Sequence, residues 1–223
     1  MASHLTDPIF DPDTVEGKPM RLAILAALTL FALPARADTA LVAGGCFWCV
    51  ESDFESVAGV GDAVSGFTGG TTPDPEYRAS GDHVEAVRIP FDEDTISYAE
   101  ILDLFFRSID PLDAGGQFCD RGREYTTAIW VDGPEQRAVA EAAKARAEAD
   151  LGQAIVTPIL DAGEFYPVDD YHQDYYKSED RIAISSLGVG VKKKDAYKRY
   201  REGCGRDARV RAVWGDAAPF AGS

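Results

Sequence analysis

Apolar and polar positions in this chain switch between strand-like and helix-like spacing, with breaks at Gly, Pro and polar clusters. Thr39 to Ala43 is a short apolar run, which predicts a buried strand. Gly44-Gly45 ends it. From Cys46 to Ala58, Phe47, Val50, Phe54 and Val57 recur at spacings of three and four, with Glu51, Ser52, Asp53 and Glu55 between them. That is the apolar stripe of an amphipathic helix. Gly66 to Pro75, rich in Gly, Thr and Pro, reads as a loop, and Val84 to Phe91 as a strand. Ser97 to Ile109 reads as a helix, because Ser97 is followed three residues later by Glu100 in a capping-box pattern. Ala114 to Glu124 reads as a loop, and Tyr125 to Val131 as a strand of β-branched and aromatic residues. Pro134 to Leu151 predicts an exposed helix with Pro134 in its first turn. Ala154 to Leu160 reads as another strand, Gly163 to Lys177 as an aromatic polar stretch, and Ala196 to Ser223 as a mostly irregular tail. Strands and helices joined by short connections predict an α+β sandwich.

The N-terminus follows a different pattern. Met20-Arg21, the apolar run Leu22 to Leu33 and Ala35-Arg36-Ala37 form a basic start, an apolar core and a small-x-small site, in the order of a secretory leader. The run is shorter than the roughly 17 residues a membrane-spanning helix needs, so no span is expected in the mature chain. A core helix in an N-terminal extension is the other reading. The chain therefore divides into 1–19, a start-site artefact or extension, 20–37, a leader, and 38–223, one functional domain. Export implies a periplasmic or secreted protein; an unused leader implies a cytoplasmic one.

The formal net charge is −16, with 27% charged residues. An acidic surface argues against nucleic-acid binding, which needs basic groups to neutralise phosphate. With 223 residues, the chain can bury a core without disulfide staples. Its four cysteines, Cys46, Cys49, Cys119 and Cys204, allow either working thiols or bridges.

The segment Gly44-Gly45-Cys46-Phe47-Trp48-Cys49 carries the chemistry. A cysteine opening a helix after two glycines faces free N–H groups and the positive end of the helix dipole, which would lower its pKa and make it a nucleophile. Alone, this C-x-x-C leaves a redox pair and a metal site open.

Gly45-Cys46-Phe47-Trp48 with Glu51 resembles the signature of the A-type peptide methionine sulfoxide reductases. Gly66-Phe67-Thr68-Gly69-Gly70, Pro75-Glu76-Tyr77, His83-Val84-Glu85-Ala86-Val87, Asp120 to Tyr125 and Tyr171-His172-Gln173 resemble that family's further motifs, in its order. Three departures stand out. The segment between Tyr77 and His83 is short, Phe67 replaces the family's tyrosine, and Lys177-Ser178-Glu179 stands where the family has Lys-Asn-Pro.

The resemblance implies thiol-dependent reduction of methionine S-sulfoxide, peptide-bound or free. It also implies a mixed, mainly antiparallel sheet covered by helices, arranged as a ferredoxin-like plait. Cys46 would attack the sulfoxide, and Glu85, buried on an apolar strand, would stay protonated and act as acid. Tyr77, Tyr125 and Asp120 would hold the oxygen or orient its donors, and Phe47 and Trp48 would receive the methyl end. Read by themselves, these are a solvent-face strand residue, packing tyrosines, a turn aspartate and core rings. The resolving thiol would be Cys204 in a mobile tail, then Cys49, then Cys119. A bridge to Cys49 would strain the first helical turn. No bound cofactor or metal is expected. The partners would be a thioredoxin-like dithiol reductant and oxidised proteins, and the chain would be a monomer. The other readings are a thioredoxin-like dithiol oxidoreductase using Cys46 and Cys49, and a zinc-binding module; the cysteine spacing lacks a second close pair for zinc.

Overall fold

The computed structural model describes residues 37–185 and 188–222. The extension 1–19 and, apart from Ala37, the leader expected over 20–37 lie outside the described residues.

The chain runs β1 (Ala37–Gly44), α1 (Phe47–Glu55), β2 (Val64–Thr68), β3 (Val84–Asp92), α2 (Tyr98–Ser108), a short hairpin of β4 (Gly116–Gln117) and β5 (Asp120–Arg121), then β6 (Thr127–Val131). It continues through α3 (Gly133–Leu151), β7 (Ile159–Asp161), β8 (Phe165–Pro167), a second hairpin of β9 (Ile184–Ser185) and β10 (Gly188–Val189), α4 (Lys193–Cys204) and α5 (Arg206–Trp214). Six strands form one sheet in the order β7-β6-β1-β3-β2-β8. Only β6 with β7 is parallel. This is the expected mixed, mainly antiparallel α+β sheet.

The main core lies on one face of the sheet. Ala40 and Val42 of β1, Val87, Ile89 and Phe91 of β3 and Ile129 and Val131 of β6 meet Val50 and Phe54 of α1, Ile101, Leu102, Phe105 and Phe106 of α2 and three alanines of α3. The period of two along β3 puts Glu85 on the same face as Val87 and Ile89, aimed at the helical layer. It is therefore not a solvent-face residue. The capping box of α2 is present, with Ser97 and Glu100 exchanging both bonds.

Two expectations are corrected. Gly66 to Thr68 belongs to strand β2, not to a loop, and pairs with both β3 and β8. Gly66 is suited to this place, since a Cβ there would lie 2.3 Å from the Tyr166 carbonyl oxygen. The tail is helical, not irregular. Gly205, at φ +69°, ends α4 in a left-handed turn and α5 starts on the next residue. This turn replaces the mobile Gly-Cys-Gly segment expected around Cys204.

Charge fixes the tail to the core. The carboxylate of Asp53 on α1, 1% exposed, pairs with Arg201 Nη1 at 2.6 Å and Arg206 Nη2 at 3.5 Å. Arg206 also donates to the carbonyls of Gly44 at 3.1 Å and Ser108 at 3.0 Å. One buried guanidinium thus joins α5 to the last residue of β1, two residues before Cys46.

Candidate active site

Gly45, at φ +80°, makes the turn from β1 into α1, and a Cβ there would lie 2.6 Å from Gln117 Cβ. Glycine is needed for both reasons, and the turn places Cys46 as the N-cap of α1 (φ −50°, ψ 119°). Cys46 lines a small cleft of about 60 Å³ together with Phe47, Trp48, Tyr77, Glu85, Asp120, Tyr125 and Tyr200. Every residue expected to touch substrate is therefore in one place, despite the short segment after Tyr77. The expectations had no role for Tyr200. Its signal was present: it stands four residues before Cys204 on the helical face that also carries Ala196, Tyr197 and Arg201.

Glu85 is 2% exposed, and its Oε2 accepts the Phe47 amide N–H at 2.9 Å. Burial pushes its carboxyl well above the ordinary range, against the lowering effect of that hydrogen bond. A carboxyl held neutral in this way can donate a proton at neutral pH. Burial also raises Tyr77 and Tyr125, with the Glu85 charge adding to the effect, so both keep their hydroxyl protons.

The expected lowering of the Cys46 thiol is not what its surroundings produce. Burial pushes Cys46 well above the ordinary thiol range, and its neighbours Cys49 and Glu85 push in the same direction. The first amide of α1 points at Glu85 and not at the sulfur, so the helix end stabilises the wrong group for ionising Cys46. Cys49 is buried beside Cys46. The hydrogen bond from the Cys46 thiol lowers Cys49, aided by Arg206 and Arg201.

The apolar wall is a stack of rings. Trp48 lies flat on Tyr175 with centroids 4.1 Å apart, and Tyr77 meets His172 at 3.8 Å. Trp48 and Tyr77 face each other at 6.1 Å, and Phe47 reaches both. Phe47 is 1% exposed and belongs equally to the core, so its packing role and its place in the cleft are both real. His172, quoted only as part of a motif, buttresses the rings; burial holds it below the usual histidine range, hence neutral.

The other two cysteines sit just outside. Cys119, in the turn of the β4–β5 hairpin, is bonded to Cys204 at the end of α4. Asp120, next to Cys119, accepts a hydrogen bond from Tyr200, one turn before Cys204. A zinc site built on all four sulfurs does not fit this arrangement, because two of them are bonded to each other.

A family model described as peptide methionine sulfoxide reductase matches residues 38–204. The chain is 46% identical over 205 residues to peptide methionine sulfoxide reductase MsrA 2 of Rhizobium meliloti (strain 1021), covering 89% of this chain and 96% of that protein. It is 43% identical over 185 residues to MsrA of Bacillus pumilus (strain SAFR-032), covering 80% and 96%. Methionine sulfoxide reductase A of Corynebacterium diphtheriae superposes with a TM-score of 0.56 and 28% identity over 71% of this chain and 84% of that one. Mxr1 from Saccharomyces cerevisiae in reduced form shares the fold, with a TM-score of 0.60 and 24% identity over 64% and 86%.

Proposed function

Because the chain belongs to the peptide methionine sulfoxide reductase family and is a thiol-dependent reductase of methionine sulfoxide, we propose that Cys46 is its nucleophile and Glu85 its acid. The observation that carries this is a neutral, buried carboxyl in the same cleft as Cys46, the one sulfur lining it among the described residues. A sulfoxide oxygen is a poor leaving group until it is protonated. Glu85 supplies that proton, with the Tyr77 and Tyr125 hydroxyls as further donors. The Cys46 sulfur attacks the sulfoxide sulfur. In net terms the oxygen passes to Cys46, which becomes a sulfenic acid, and methionine is released. Phe47 and Trp48 hold the methyl end against the ring stack.

A second thiol condenses with the sulfenic acid, forming a disulfide and releasing water. Cys204 stands first among the expected partners; while it is bonded to Cys119, Cys49, buried beside Cys46, is the thiol at hand. Once Cys204 and Cys119 have been reduced, exchange with their thiols moves the disulfide outward. Cys119 is exposed, and an external dithiol of the thioredoxin kind can reduce the bond there. No cofactor enters this cycle. The S epimer is the substrate on the strength of the family resemblance. Residues 20–37 read as a leader, which would place the enzyme and its reductant in the periplasm or outside the cell.

The test is a single turnover. Protein reduced with a dithiol and then freed of it should give a burst of methionine from a peptide carrying the S-sulfoxide and none from the R-sulfoxide, as read by mass spectrometry. Equal bursts would refute the epimer choice, and no burst from either would refute the function.

A further inference from the structure

Cys46 has to lose a proton to attack, yet its burial favours the neutral form. The groups facing it are Cys49 from its own helix, Glu85 from β3, Tyr77 and Tyr125 from the surrounding loops, Asp120 from β5 and Tyr200 from α4. Glu85 already holds its own proton. Among the described residues, the hydroxyls of Tyr77 and Tyr125 have no carboxylate hydrogen-bonded to them that could take a proton onward. Cys49 accepts the Cys46 hydrogen bond but is itself buried, so a proton passed to it stays inside the protein. That leaves one route outward. Tyr200 lines the same cleft as Cys46, and its hydroxyl donates to Asp120 Oδ2.

Resting on Cys46 as nucleophile, we propose that Tyr200 is a further catalytic residue that conducts the Cys46 proton to the Asp120 carboxylate as the sulfur attacks. The transfer is a double shift. The thiol proton passes to the Tyr200 oxygen, and the Tyr200 proton passes to Asp120, leaving Cys46 as thiolate, Tyr200 as neutral phenol and Asp120 as acid. No other reactant is needed. The two carboxyls of the cleft thereby take opposite roles, Glu85 giving a proton to the oxygen and Asp120 taking one from the sulfur. Asp120 is half-buried, and burial raises its proton affinity above that of an ordinary aspartate, which suits a base.

When the outer disulfide is formed, it also ties this relay together. Cys119 is the neighbour of Asp120 and Cys204 lies one turn beyond Tyr200, so the bond between them ties both members of the hydrogen bond to each other. Tyr200 also stands edge-on to Trp48, with centroids 6.2 Å apart, so its ring has a packing role separate from its hydroxyl.

Tyr200→Phe keeps the ring and removes the relay. In single turnover with a methionine S-sulfoxide peptide, the rate at pH 7 should fall about 100-fold and recover as pH rises, because solvent base then ionises the thiol. The substrate concentration for half-maximal rate should stay within about twofold of wild type. Asp120→Asn should give the same pH profile, and the double variant should be no slower than either single one, since both break one chain. A Tyr200→Phe profile that superimposes on wild type would overturn the proposal. So would a pH-independent loss carried by weaker substrate binding, which is the mark of a packing role. Cys46→Ser, run alongside, separates the two readings. If it is silent while Tyr200→Phe matches wild type, the relay falls and the nucleophile stands. If it is active, the nucleophile falls as well.

Discussion

Glu85→Gln is expected to slow the first turnover by about 1,000-fold at pH 7, the size of effect a positioned general acid supplies. Glutamine has nearly the same shape and can still accept the Phe47 amide hydrogen bond, so the change removes the proton and little else. The pH dependence fixes the cause. In wild type the acid form is active, so rate is lost as pH rises through the raised Glu85 value. In Glu85→Gln that limb should vanish and leave a flat, low rate. Stability moves in the same sense. The native state holds a proton that the unfolded chain releases in the ordinary carboxylate range. Stability therefore falls as pH rises above that range, up to the native value, and Glu85→Gln should remove that part of the slope. Rapid-quench kinetics and urea melts across pH read both effects. A variant with wild-type burst rate would remove Glu85 from the chemistry.

Arg206→Met should have the largest effect on folding. The side chain is 2% exposed and holds the Gly44 and Ser108 carbonyls and the buried Asp53 carboxylate. Methionine fills much of the volume but satisfies none of these groups. Breaking a buried pair on one side costs about 3–5 kcal/mol, because the partner charge stays buried. For a domain of this size that lowers the melting temperature by roughly 10 °C. Asp53 keeps Arg201, which argues for the lower end of the range. Calorimetry should show the drop, and single turnover should show a slower burst, because Arg206 anchors the turn that carries Cys46. An unchanged melting temperature would mean that the pair contributes nothing net, as ion pairs replaced by apolar groups sometimes do.

The strands and helices with plain apolar periods were legible in the sequence: β1, α1, β3, α2, β6 and α3 lie within a few residues of their expected bounds. α4 was not, because it docks with a charged face. Arg201 meets Asp53 and Lys193 reaches the Tyr171 carbonyl, so its short stripe of Ala196, Tyr197 and Tyr200 is interrupted by charge. α5 buries Arg206, Val210 and Trp214 at spacings of four, a helical signal obscured by arginines around it. β2 was hidden by Gly66 and Thr68, which read as loop residues but serve close strand packing. Within the site, motif order singled out residues that the fold brings to one cleft, and the burial of Glu85 was implied by the resemblance and not by its strand pattern alone. The state of Cys46 did not. A helix start lowers a thiol only if its amides face the sulfur, and here Glu85 takes the first of them. Tyr200 was missed because its role depends on α4 folding back over the cleft. The pairing of Cys119 with Cys204 depends on the same fold.

The most direct check on the chemistry is one turnover of Cys46→Ser against wild type, each fully reduced and then stripped of reductant, with methionine and protein mass read together. Wild type should release methionine and gain an internal disulfide, while the serine variant releases none and keeps its mass. Methionine released by the variant at a comparable rate would show that another residue attacks the sulfoxide.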